Sequence, residues 1–308
     1  MNGRLSRGKE FHLFTRINRL QIELQKPSKP DPDGASAVQE LLGGRFGEMS
    51  TLNNYLHQSF GFKDKKKLAP FYELVASITS EEIGHVELVS AMINMLLEGT
   101  AKQTDPTSGP MEDLKDARLL QQFIVGGPGH LVADSQAKPW NGDYVFNSGN
   151  LIADLLHNFF LETGARMHKH RVYQLTTNET GRTMIGYLMV RGGVHQAAYG
   201  RALEELTGVQ MTKFLPLPNI DDMKIPEARR WMEKGEHTRL YTWGPDFQHL
   251  GGIWSGKAHW ADNAALQVLD GIPQGGPMPD AEPTKTQFSP QYDPSEIYEI
   301  AARLMKKV

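Results

Sequence analysis

The feature that most limits what this chain can fold into is the spacing of four long amphipathic stretches in its first two thirds. Apolar residues recur at helical intervals over about 36–60 (Val38, Leu41, Leu42, Phe46, Met49, Leu52, Tyr55, Leu56) and about 69–97 (Phe71, Leu74, Val75, Ile78, Val86, Val89, Ile93, Leu96). The same spacing returns over about 150–175 and about 180–206. Each stretch keeps the i, i+3, i+4 pattern of a core-facing helix. Gly61, Gly99 and Gly208 stand where helices would stop. The connections are unequal. The first pair is joined by the short basic segment 61–68 and the second by 176–179, whereas a long, turn-rich crossover of about 100–149 separates the pairs. Two short-linked hairpins joined by one long crossover is the ferritin-like wiring of a four-helix bundle. The expected fold is therefore all-α: a ferritin-like four-helix bundle with a long crossover and an extended, mostly irregular C-terminal tail.

Three segments follow: an N-terminal lead at 1–34, the bundle at 35–208, and a wrapping tail at 209–308. Past Gly208 proline and glycine rise, and only two short helices are expected, at about 227–234 and 295–306. Trp231, Tyr241, Trp243, Phe247, Trp254 and Trp260 argue that the tail packs against something rather than standing free.

Composition removes several function classes. The chain has no cysteine, which excludes disulfides, zinc–thiolate sites, iron–sulfur clusters and thiol nucleophiles together. A net charge of -3 gives no nucleic-acid footprint. No apolar run is long enough to span a membrane. Residues 1–9 are polar and lack the apolar core of a secretory signal, so a cytoplasmic location is expected.

What remains is a set of metal ligands. Glu82 and His85 form an E-x-x-H pair, which on a helix places carboxylate and imidazole about one turn apart on one face. Glu162 directly follows the largely apolar run Leu155–Leu161, where an unpaired charge would be costly. Glu48 and His195 complete three carboxylates and two imidazoles, one set per helix, enough for a dinuclear site with Glu82 as bridge. Oxygen-rich ligation with imidazole suits manganese or iron. Glu81 is about 100° around the helix from Glu82 and is expected to face elsewhere. Gly192 stands three residues before His195, where a second E-x-x-H would need an acid, and the pair Gly192-Gly193 opens space for a small substrate. Tyr55, seven residues after Glu48, is placed to hydrogen-bond that carboxylate. Lys169, seven after Glu162, is placed to hold Glu48 or a bridging oxygen. His57, His157, His168 and His170 lack the right face or partner and are read as structural.

The chain also resembles the manganese catalases, the non-haem catalases of bacteria, over nearly its whole length. The resemblance rests on LLGGRFGEMSTL (41–52), EEIGHVELV (81–89), WNGDYVF (140–146), SGNLIADLLHNFFLE (148–162) and YLMVRGGVHQAAYGRALE (187–204). It implies one metal on Glu48, Glu82 and His85 and a second on Glu82, Glu162 and His195. It implies two manganese ions per subunit with a bridging water, hydroxide or oxo group, cycling between Mn(II)/Mn(II) and Mn(III)/Mn(III). Hydrogen peroxide would be disproportionated to water and dioxygen, with Tyr55 and Lys169 as candidate catalytic groups, in a hexamer with embracing C-terminal tails. This chain belongs to the glycine kind at 192, so no acid there assists. The alternative readings are a ferritin-like di-iron oxidase or iron-storage protein, and a structural assembly protein of the same fold.

Overall fold

The computed structural model describes residues 19–100, 117–127, 129–216, 220–244, 246–273, 275–280 and 294–306. The lead before residue 19 and the part of the crossover at 101–116 lie outside the described residues.

Helices α1 (Pro32–Gly43) and α2 (Glu48–Gly61) occupy the stretch expected to be one helix. The physical cause of the break is Gly43-Gly44-Arg45-Phe46-Gly47, three poor helix formers in five residues. The close approach also demands glycine. A Cβ at Gly43 would lie 2.2 Å from the Ala133 carbonyl oxygen, and one at Gly47 would lie 2.8 Å from those of Leu41 and Leu42. The break matters because it makes Glu48 the first residue of α2, where the helix dipole favours a carboxylate. α1 starts at Pro32, ahead of the expected position, with the Asp31 side chain accepting from the Gly34 N–H as its cap.

The other long helices match their sequence patterns. Helix α3 spans Ala69–Leu97; α5 spans Leu151–Leu175, capped by Asn150; α6 spans Glu179–Thr207, capped by Asn178. Gly208 ends α6 in the left-handed conformation, with φ of 71°. Among the described residues between α3 and α5 lie a short helix, α4 (Leu120–Gly126), and a 3-10 turn at Gly142–Tyr144, both too brief for periodicity to reveal. α5 packs on α6, α2 on α3, and α1 and α2 together supply the fourth side of the bundle against α3 and α5.

The interior is divided along the bundle axis. One apolar cluster gathers Val38, Leu41, Leu88, Val89, Met92, Leu188 and Val190. A second gathers Leu74, Ile78, Leu155, Phe159, Ala198 and Leu203. Between them on α3, α5 and α6 lie Glu81 to His85, Glu162 to Lys169, and Arg191 to His195, all in long helices and mostly buried. The polar layer is held by oil on both sides.

The first part of the segment after Gly208, through the helix at Pro226–Glu233 and the turn at Leu250–Gly252, packs on its own bundle, whereas the last helix, at Pro294–Met305, is largely exposed. The segment contains α7 (Pro226–Glu233) and two three-residue parallel strands, β1 (Arg239–Tyr241) and β2 (Gln267–Leu269). Strands of three residues leave no readable alternation, and they were absent from the sequence expectation. Trp254 is fully buried and donates its indole N–H to the Thr238 carbonyl. Ser77 on α3 donates to the Thr242 carbonyl. A last amphipathic helix, α8 (Pro294–Met305), matches the expected terminal helix.

Candidate metal centre

Four helices each place one or two of the five expected ligands in the polar layer, and Glu48, Glu82, His85, Glu162 and His195 are all buried. Glu82 sits in the middle. Its Oε2 is 3.2 Å from His85 Nδ1 and its Oε1 is 2.8 Å from His195 Nδ1. Glu48 Oε2 lies 3.5 Å from the same His85 nitrogen, and Glu162 Oε1 lies 3.4 Å from the same His195 nitrogen. Two subsites result, each with one imidazole Nδ1 and one terminal carboxylate, sharing Glu82. The two rings stack 5.5 Å apart at 23°, so both nitrogens address the same space. Ligand atoms of Glu82, His85 and His195 all fall within 4.8 Å of one another.

Tyr55 and Lys169 are both in the site, but the Tyr55 expectation requires correction. Its hydroxyl donates to Glu162 Oε1 at 2.7 Å, not to Glu48. Seven residues is about 10 Å along a helix axis, too far for a side chain to reach back to its own helix's first residue. The ring therefore crosses to α5. Lys169 makes the reciprocal crossing from α5, placing Nζ 2.9 Å from Glu48 Oε1. Each terminal carboxylate is thus braced by a side chain from the opposite helix. Burial alone would lower the Lys169 pKa, but Glu48, then Glu162 and Glu82, outweigh it and raise it, so the group is an ammonium. Burial, then Glu162, raises Tyr55 well above its ordinary value, which keeps its proton in place as a donor. Thr51 adds a third brace, donating to Glu82 Oε2 at 2.8 Å.

The expectation that Glu81 faces away is overturned. Glu81 Oε1 lies 3.6 Å from His85 Nε2 and 3.4 Å from His195 Nε2, on the far side of both rings from the carboxylate cluster. Although 100° from Glu82, Glu81 is one turn before His85, and residues four apart on a helix are neighbours. Arg191, fully buried, fixes it with Nε at 2.5 Å from Oε1 and Nη2 at 3.0 Å from Oε2. Burial alone would raise the Glu81 carboxyl, but Arg191 and then His195 hold it well below the usual carboxylate range. Arg191 also donates to the carbonyls of Glu236 and Arg239, at 2.7 and 2.8 Å, so the segment after the bundle reaches the centre through it. The signal was present in the sequence: Arg191 stands one turn before His195, as Glu81 does before His85.

The four histidines read as structural, His57, His157, His168 and His170, lie elsewhere. His157 stacks on Phe146, His57 packs on Phe60, His168 meets Phe46, and His170 lies near Gln174.

Would divalent cations suit this donor set? Glu48, Glu81, Glu82 and Glu162 bring four buried carboxylates, against the buried cations Lys169 and Arg191, the third buried cation, Arg166, being matched by Asp222. A net negative charge buried this deeply needs positive ions or protons. Burial alone would lower the His195 pKa, but Glu81 and the neighbouring carboxylates raise it to about 10. His85 is raised well above its ordinary value, with burial opposing and Glu82 the largest favourable cause. His195 Nδ1 and Glu162 Oε2, both buried, lack a hydrogen-bond partner, so close donors converge without hydrogen-bond alignment. Oxygen and imidazole donors around one shared carboxylate fit a pair of manganese or iron ions.

Comparison with known proteins points the same way. The profile described as "Manganese containing catalase" matches residues 13–308. The uncharacterized protein YjqC of Bacillus subtilis (strain 168) is 35% identical over 198 residues, 63% of this chain and 70% of that protein. A manganese catalase of Lactiplantibacillus plantarum is 34% identical over 203 residues, 63% of this chain and 72% of that one. Among solved structures, wild-type KatB, a manganese catalase from Anabaena, aligns with a TM-score of 0.55 at 21% identity, covering 84% of this chain and all of that one. That likeness supports the ferritin-like, all-α fold. With the family profile extending across the bundle and the segment beyond it, this chain belongs to the manganese-containing catalase family.

Proposed function

We propose that this protein is a manganese catalase that disproportionates hydrogen peroxide to water and dioxygen. Glu48, Glu82 and His85 would hold one manganese ion, and Glu82, Glu162 and His195 the other. The observation that carries the reading is the position of Glu82, whose two oxygens address two different imidazoles at 3.2 and 2.8 Å. When bound, the ion pair supplies a reservoir for two electrons, alternating between Mn(II)/Mn(II) and Mn(III)/Mn(III) as one peroxide is reduced and the next oxidised.

The chain's own groups have separable tasks. Glu81, fixed by Arg191, lies 3.6 and 3.4 Å from the Nε2 atoms of His85 and His195, placed to orient both rings electrostatically with Nδ1 toward the carboxylates. An outer carboxylate on a ligating imidazole fixes ring orientation and raises its basicity. Tyr55 holds a proton at Glu162 Oε1, and Lys169 holds a positive charge and a proton at Glu48 Oε1. Each peroxide brings two protons that must be stored or passed on, and these are the protonated groups beside the terminal ligands. The apolar clusters on either side exclude bulk water.

A di-iron oxidase or iron-storage role is the competing reading. Gly192 speaks against it, because oxygen-activating di-iron bundles carry a second E-x-x-H where this chain has none. Elemental analysis and oxygen evolution on one sample separate the two. The proposal expects about two manganese ions per chain, as the two subsites require, with oxygen released from peroxide. Activity in a protein that holds only iron would refute it.

On the same reading the protein works in the cytoplasm as a homo-oligomer, a hexamer by family resemblance. Ile152, Leu156 and Phe160 form an exposed apolar stripe on α5, which is consistent with subunit packing. A monomeric mass by light scattering would remove this part of the reading.

A further inference from the structure

Arg191 spends its hydrogen bonds in two directions. Nε and Nη2 grip Glu81, while Nη1 donates to the Glu236 and Arg239 carbonyls at 2.7 and 2.8 Å. A guanidinium is planar and holds its donors in a rigid fork, so fixing Nη1 on one side fixes the edge offered to Glu81 on the other. The Tyr241 ring completes the enclosure, with its centroid 5.2 Å from Arg191 Cζ.

The two carbonyls are aimed by a turn built for the purpose. Gly235, at a φ of 82°, reverses the chain after α7, and Thr238 closes the turn with its N–H and hydroxyl on the Gly235 carbonyl at 3.2 and 2.9 Å. Trp254 occupies the Thr238 carbonyl, which leaves those of Glu236 and Arg239 for Arg191. The Glu236 carboxylate locks this arrangement. Oε1 accepts from Arg239 Nη1 at 2.7 Å and Oε2 from the Tyr241 hydroxyl at 3.0 Å, while Oε2 also stands 3.9 Å from Arg191 Nη1. One side chain thus ties together every group after the bundle that encloses Arg191.

Glu81 is held from the other end of the chain as well. Gln21 Nε2 donates to the Glu81 carbonyl at 2.7 Å, and Gln21 Oε1 accepts from the Tyr187 hydroxyl at 3.1 Å. This contact accounts for Gly84 in the middle of α3, where glycine weakens a helix. A Cβ there would lie 2.2 Å from Gln21 Nε2. Segments that are remote in sequence therefore converge on one carboxylate that stands 3.6 and 3.4 Å from the two Nε2 atoms.

We propose that Glu236 is a positioning residue for the metal centre, acting through Arg191 and Glu81 on the orientation of the His85 and His195 rings. The proposal rests on the catalase reading only in taking those two histidines as ligands. Glu236 and Tyr241 also line a cavity of about 940 Å³, so a changed side chain at either position meets open space on one side.

The test is a double-mutant cycle on full-length protein, read by manganese(II) affinity in chelator competition. Glu236→Gln keeps the shape of the side chain but removes the charge that grips Arg239 and Tyr241. Arg191→Lys replaces the fork with a single nitrogen, which cannot hold Glu81 and both carbonyls together. With Arg191 intact, Glu236→Gln should weaken manganese binding by about tenfold, the lower end for losing an outer partner of a ligating histidine. In the Arg191→Lys background it should add less than about twofold, because residues that act through one another are not additive. Ser77→Ala removes a different bond between the bundle and the same segment, and serves as the control for lost stability. It should leave manganese affinity unchanged. Wild-type affinity in Glu236→Gln, a tenfold loss in both backgrounds, or an equal loss in Ser77→Ala would overturn the proposal. If Glu236→Gln does not fold, Tyr241→Phe keeps the carboxylate and carries the same non-additive expectation with a smaller loss. Failure of the catalase reading is distinguishable. Wild-type protein that binds manganese but releases no oxygen from peroxide would refute that reading and leave the cycle readable, and wild-type protein that binds no manganese(II) would overturn both.

Discussion

The two ends of the centre are built from the same ligand types but are braced in different ways. At the α2–α3 end, Glu48 begins a helix, meets His85, and is held by a buried ammonium, Lys169. At the α5–α6 end, Glu162 lies mid-helix, meets His195, and is held by a neutral phenol, Tyr55. The first end carries a fixed positive charge beside its carboxylate. The second carries no such charge at its Tyr55 contact, and Gly192 places bare backbone beside Glu162 Oε2. The braces thus differ in charge, while Glu82 and Glu81 are common to both ends.

Removing what is common should cost most. Glu82→Gln keeps the size of the shared ligand but removes its charge. Oxygen evolution is expected to fall by at least about a thousandfold, the scale of losing a central electrostatic group, with paired metal lost. Substantial activity with two coupled ions would contradict the shared-carboxylate arrangement.

The charged brace comes next. Lys169→Met should leave two metals bound but lower turnover by roughly tenfold to a thousandfold and alter its pH profile. Wild-type turnover from pH 6 to pH 10 would show that the ammonium is only a structural counter-ion to Glu48.

Glu81→Gln tests the outer carboxylate. Loss of an outer partner of a ligating histidine typically costs about 10–100-fold in metal affinity or activity. Chelator competition should therefore show weaker manganese binding, and Arg191→Lys should share the defect because it loses the bidentate grip. A wild-type affinity for both variants would return Glu81 to the role of a bystander.

The neutral brace should matter least. Tyr55→Phe removes one hydrogen bond to a charged group, worth about 1.5–3 kcal/mol, and its effect on turnover should be smaller than that of Lys169→Met. The reverse order would mean that the working proton sits at the α5–α6 end.

A pH experiment probes the same centre without mutation. The His195 pKa is raised from 6.5 to about 10 in the metal-free fold. Its proton therefore stabilises that fold fully below pH 6.5, and the contribution is lost as pH rises toward about 10. The Tm of metal-free protein should fall across this window, whereas that of manganese-loaded protein should not, because its Nδ1 atoms carry metal rather than protons. Parallel curves would contradict the placement of His195 as a ligand.

Much of this was legible from residue spacing. Helices of 25 to 29 residues such as α3, α5 and α6 repeat their pattern often enough to declare themselves, and their asparagine and glycine ends mark the limits. The five proposed ligands, which the structure gathers in one buried layer, could be named because E-x-x-H spacing marks Glu82 and His85 and a charge beside an apolar run, such as Glu162, needs a partner. The break between α1 and α2 was missed because apolar spacing continues through Phe46, while the Ala133 backbone that forces Gly43 comes from the distant crossover. Tyr55 was assigned to the wrong carboxylate because a helical wheel shows which face a residue shares, not which neighbouring helix it reaches. Glu81 was misread by comparing it only with Glu82, when its four-residue relation to His85 decided its direction. Asp222 could not be placed beside Arg166, since nothing in the spacing relates a turn after the bundle to the middle of α5.

The most direct test of the account is anomalous diffraction at the manganese edge from crystals of manganese-loaded protein. The account predicts two peaks in each subunit, one on the His85 side of Glu82 and one on the His195 side, each within bonding distance of an Nδ1 atom. A single peak, or a pair located away from Glu82, would contradict it.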